Sequence, residues 1–64
     1  MENLLQSERK KKNISRKELA LLVGCPESVI RDIELKKIVP SVQLMKGIAF
    51  ALQNTPEQIF NINF

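Results

Sequence analysis

The stretch SRKELALLVGCPESVIRDIE, residues Ser15 to Glu34, decides how this 64-residue chain folds. Ser15 stands three residues before Glu18 and directly ahead of an apolar run. That is the pattern of a capping box, in which the serine hydroxyl accepts from the backbone near the glutamate and the glutamate reaches back. Ile14 ahead of the cap and Leu19 in the first turns complete a hydrophobic staple. Leu19, Ala20, Leu22 and Val23 keep helical spacing, and Gly24 supplies the left-handed residue that ends the helix. Cys25-Pro26-Glu27-Ser28 then restarts one, because proline has a fixed φ and no N–H and so suits a first turn. Val29, Ile30 and Ile33 give the new helix an apolar side, with Glu27, Ser28, Arg31, Asp32 and Glu34 around the rest. Two short helices joined by a tight turn containing glycine make a helix-turn-helix pattern over about residues 15–34.

Outward from this unit, Asn3 to Lys12 reads as a first helix, carrying Leu4, Leu5 and Arg9 and ending in Lys10-Lys11-Lys12. The basic run has two readings, a solvated helix end that matches the dipole and a contact to phosphate. Pro40-Ser41 opens a fourth helix, capped by Ser41 and periodic through Leu44, Met45, Ile48, Ala49 and Leu52. Gly47 inside it costs about 1 kcal/mol relative to alanine. Thr55-Pro56-Glu57-Gln58 combines an N-cap, a first-position proline and a capping-box glutamine before Ile59 and Phe60. The expectation is an all-α fold of five short helices forming one domain over residues 1–64, with no repeat, linker or low-complexity stretch.

Composition narrows the function. A chain of 64 residues has a thin core, and a partner chain would help it. A net charge of +3 and a pI near 9.4 favour a polyanionic partner. The single cysteine, Cys25, cannot form an intrachain disulfide, and without histidine no zinc site, other metal site or cofactor is expected. No histidine base, Gly-rich phosphate loop or nucleophile motif appears, which argues against an enzyme. No stretch approaches the ~18 apolar residues of a membrane span, so a cytoplasmic protein with no membrane contact is expected.

On its residues the chain resembles the phage repressor/Cro family, also called XRE-type, from about Asn3 to Phe60. Leu5, Arg9, Ile14, Ser15, Glu18-Leu19-Ala20, Val23-Gly24, Ile30, Ile33-Glu34, Lys37, Pro40-Ser41, Ile48-Ala49, Leu52 and Ile59-Phe60 carry the likeness, in the family's order. The short length and the ending Asn54 to Phe60 are most similar to stand-alone dimeric repressors of the cytolysin-repressor type. The resemblance implies a lambda-repressor-like domain that binds double-stranded DNA with its third helix in the major groove. It implies base-facing roles for Glu27, Ser28, Arg31 and Asp32, and phosphate contacts from Arg16, Lys17, Lys36 and Lys37. It also implies that Arg9 pairs with Glu34, tying the first helix to the end of the third.

The chain departs from that pattern in four places. Arg16 stands where many relatives carry Gln, and it either contacts phosphate or a guanine edge or is a plain first-turn surface residue. Between Glu27 and Glu34 three acids face one arginine, a local charge of −2 that phosphate repels, although a carboxylate can accept from cytosine N4. Lys36 stands where relatives usually have a left-handed glycine, so either this turn is strained or the loop takes another path. Ile38 and Val39 make that loop more apolar than expected. Leftover apolar residues point to association: Phe50, Ile59, Ile62 and Phe64 either fold back as extra core or form a two-fold interface, with Asn61 to Phe64 pairing as a short strand. The leading reading is a homodimeric transcriptional repressor. The other is a protein-interaction module, an antagonist or antitoxin-like partner on the same fold, to which the acidic third helix is suited; a regulatory protein partner fits either.

Overall fold

A computed structural model describes residues 1–62, among which five α-helices follow one another: α1 (Leu5–Lys11), α2 (Arg16–Val23), α3 (Glu27–Glu34), α4 (Val42–Ala51) and α5 (Pro56–Phe60). Each starts or stops for a local reason. Ser15 Oγ accepts from Glu18 N–H and Glu18 Oε1 accepts from Ser15 N–H, both at 3.0 Å, so the capping box closes. Ser41 and Thr55 cap α4 and α5 in the same way, accepting from Leu44 N–H and Gln58 N–H. Gly24 ends α2 at φ 78. Pro26 sits one place earlier than expected, as the extended residue before α3 rather than in its first turn.

The first helix is shorter than the span Asn3 to Lys12. Asn3 lies outside it: its side-chain oxygen accepts from Leu5 N–H, while its amide nitrogen donates to the Ile33 carbonyl and ties the N-terminal segment to α3. Four helices end on a left-handed residue that is not glycine: Asn13 after α1, Lys36 after α3, Gln53 after α4 and Asn61 after α5. At the ends of α1, α3 and α4 the N–H of that residue and the N–H of the next bond back into the last turn, as with Lys36 N to Ile33 O and Lys37 N to Asp32 O. The loop after α3 thus begins in the left-handed conformation that glycine favours and accepts the strain at Lys36, φ 63.

Leu5, Leu19, Ile30, Ile33, Ile48, Leu52, Ile59 and Phe60 are fully buried and draw from every helix. α2 packs on both α3 and α4, α4 packs on α5, and α1 touches α3 and α5. Each of these side chains contributes about 2 kcal/mol by burial. For a domain of this size, truncating one removes a large part of the net stability.

Two expectations about the C-terminal end need correction. Ile59, assigned to a two-fold interface, is 0 % exposed within the single chain and cannot serve there. Asn61 closes α5 in a left-handed conformation, φ 53, so it does not begin a strand, and no strand occurs among the described residues. Ile62 is half-buried against the core. Phe64, also assigned to the interface, lies outside the described residues.

Candidate nucleic-acid interface

α2, the turn at Gly24 to Pro26 and α3 form a unit whose inner sides meet the core through Leu19, Ala20, Ile30 and Ile33. Because 3.6 residues complete a turn, burying Ile30 and Ile33 turns positions 27, 28, 31 and 32 outward together. Glu27, Ser28 and Arg31 are exposed and Asp32 is half-buried, so the four residues named for base reading share one side of α3. Arg31 Nε donates to Asp32 Oδ1 at 3.1 Å, which sets the arginine against one of the acids and leaves the terminal nitrogens of its guanidinium without a hydrogen-bond partner among the described residues.

Behind this side lies a buried ion cluster. The Glu34 carboxylate has a side-chain exposure of 1 %, and two arginines share it. Oε2 accepts from Arg9 Nε at 2.7 Å, and Oε1 accepts from Arg9 Nη2 at 3.3 Å and from Arg16 Nε at 3.0 Å. Arg9 Nη1 also donates to the Ile14 carbonyl at 2.9 Å. One carboxylate therefore joins α1, α2 and α3. Glu34 does not contribute to the charge that α3 presents to solvent, so the local −2 counted along the helix falls to Glu27 and Asp32 against Arg31. No buried side-chain nitrogen or oxygen among the described residues lacks a partner.

The flanking cations differ in what holds them. Lys17 and Lys37 are exposed and form no ion pair among the described residues, whereas the Arg16 side chain is 31 % exposed and anchored through Nε to Glu34. Lys36 Nζ reaches both oxygens of Glu2, at 2.8 and 3.0 Å, and this hydrogen bond holds the Glu2 carboxyl below its usual range. The pairings of Arg16 with Glu34 and of Lys36 with Glu2 join residues far apart in sequence and have no local signal. Leu35, Ile38, Val39 and Val42 form a run of exposed apolar residues beside Lys36 and Lys37. Cys25 is half-buried, and desolvation pushes its thiol pKa up, away from thiolate chemistry. No cluster of metal-ligating residues occurs among the described residues, and no helix there is long and apolar enough to cross a membrane.

A helix pair braced from behind, with polar side chains outward and lysines at its ends, defines the class as a helix-turn-helix DNA-binding domain. The sequence model of the helix-turn-helix family matches residues 5–59, and the chain belongs to this XRE-type family of DNA-binding regulators, which is not an enzyme family. No curated protein matches the sequence.

Proposed function

We propose that this protein is a sequence-specific double-stranded DNA-binding repressor, a homodimer of the short stand-alone type that lays α3 of each copy in the major groove. The observation that supports this most is the outward side of α3: Glu27, Ser28, Arg31 and Asp32 stand clear of the core on a helix fixed by the buried Glu34 cluster. Arg31, steadied by Asp32, donates to guanine O6 and N7; Glu27 accepts from cytosine N4; Ser28 suits either role. Lys17, Lys36, Lys37 and the free edge of Arg16 contact phosphates. Two-fold symmetry sets the two α3 helices ~34 Å apart on a palindromic site. Repression follows from occupancy of an operator that overlaps a promoter, in the cytoplasm where that DNA lies.

The exposed run Leu35, Ile38, Val39 and Val42 supports a second reading, a protein-interaction module that does not read bases. Charge reversal separates the two. Lys17→Glu with Lys37→Glu abolishes binding to duplex DNA under the first reading, measured by fluorescence anisotropy, and leaves DNA behaviour unchanged under the second. Arg16 is unsuitable for this test, because reversing it also places an acid against buried Glu34.

A further inference from the structure

Phe50 and Gly47 lie one turn apart on α4, and neither is explained by the fold of a single chain. Phe50 is 86 % exposed, the most exposed large hydrophobic residue described. Beside it runs a groove walled by Leu22 and Val23 of α2 and by Gly47 and Ala51 of α4, with Gln53, Asn54 and Thr55 as its polar edge and no charged residue in its lining. Glycine inside a helix is less favourable than alanine. Gly47 needs no left-handed backbone, since Gly24 alone among the described glycines has positive φ. Nor does a neighbour require it, because a Cβ built on Gly47 meets no atom within 4 Å. The space that Gly47 leaves open is therefore not used inside the protomer.

We propose that a second copy of this chain uses it: two α4 helices cross, and Phe50 of each copy seats in the groove beside Gly47 of the other. This rests on the homodimeric reading above and assigns that dimer its interface; it does not depend on which bases α3 reads. A closed two-fold contact must be self-complementary, and positions three apart on one helix side offer a projecting ring and a recess of matching chemistry. Each copy carries a net charge of +3, so a contact between copies costs least where no cation lines it, and no charged residue lines this groove. A contact of ordinary size covers about 800 Å² per copy. That is a large share of the 4160 Å² the chain exposes, so the neighbouring end of α2 must join in, where Leu21 and Leu22 are 75 % and 64 % exposed.

The test measures self-association by sedimentation, without DNA, for the parent chain, Phe50→Ala, Gly47→Leu and Gly47→Ala, with thermal melts at concentrations where each is monomeric. The parent is expected to dimerise, and Phe50→Ala and Gly47→Leu to weaken pairing by about tenfold or more. Gly47→Ala is the sharpest variant, since its monomer melts higher while its pairing weakens several-fold. A dimeric parent whose Phe50→Ala and Gly47→Leu variants pair equally well overturns this interface and leaves the dimer standing elsewhere. A Gly47→Ala variant that gains stability and keeps full pairing also overturns it. A parent that stays monomeric up to about millimolar concentration removes the homodimer and the interface together, while DNA binding by single copies is scored separately.

Discussion

α3 and α4 both bury one side against the same core, yet their outward sides differ: that of α3 is polar throughout, while that of α4 sets a large aromatic ring beside an uncharged recess. On α3 the exposed positions are Glu27, Ser28 and Arg31, with Asp32 partly open; on α4 Val42, Gln43, Lys46 and Phe50 are exposed, and of these Phe50 borders the uncharged recess at Gly47. Helical periodicity fixes only that each helix has an outward side. What that side carries decides its partner: donors and acceptors suit base edges and phosphates, whereas an uncharged apolar ridge suits a dry contact. α2 packs on both helices and so holds the two outward sides in fixed relation. That relation is what a dimer needs to place two reading helices at one spacing.

The largest effect comes from removing what the two sides share. Glu34→Ala leaves the buried Arg9 guanidinium without its carboxylate, a loss of about 3–5 kcal/mol that takes most of the stability of so small a domain. Urea denaturation followed by circular dichroism is expected to find the variant largely unfolded at room temperature. Arg31→Ala breaks the polar side alone. Specific DNA affinity is expected to fall by about ten- to a hundredfold, as for loss of one bidentate base contact, with the melting temperature and the sedimentation behaviour unchanged.

Lys36→Gly sharpens the comparison by moving stability and DNA binding in opposite directions. Relief of the left-handed strain raises stability by about 1 kcal/mol, because the exposed pair with Glu2 contributes little. The lost phosphate contact lowers the slope of log affinity against log salt by about 0.9 per copy. The smallest effect lies in the helix between the two sides. The Ser15 backbone N–H, followed by its hydroxyl, holds the Glu18 carboxyl below its usual pKa. Its folded value is thus lower than its unfolded one, so this stabilisation is full above the ordinary carboxylate range and disappears as pH falls through the folded value. Between about pH 5 and 3 the parent is expected to lose more melting temperature than Glu18→Gln does.

Elements whose causes are local were legible in the sequence. The capping box at Ser15 and Glu18, the glycine stop at Gly24 and the caps Ser41 and Thr55 each depend on neighbours within four residues, and the helices begin and end there. The apolar side of α3 was legible from Val29, Ile30 and Ile33, whereas the four base-facing positions came from the family resemblance, and Glu34, read among the polar residues, has its side chain buried. Asn3 was misread because its role is set by the Ile33 carbonyl, 30 residues away. The second partner of Glu34 was hidden for the same reason, since nothing in the residues around Arg16 distinguishes it from an ordinary first-turn surface arginine. Ile59 was placed at an interface because a short apolar ending looks alike whether it turns inward or outward; only the packing of α5 against α1 and α4 settles its direction. Gly47 did give a signal, a helix breaker inside a periodic run, but its meaning depends on the empty space around it.

Selection of bound sequences from a random double-stranded DNA pool, run at low and at near-physiological salt, tests the central claim most directly. The account predicts one palindromic motif with half-sites about one helical turn apart, persisting at the higher salt and carrying C·G pairs opposite Glu27 and Arg31. Absence of an enriched motif, or enrichment that vanishes as salt rises, would contradict sequence-specific reading by α3.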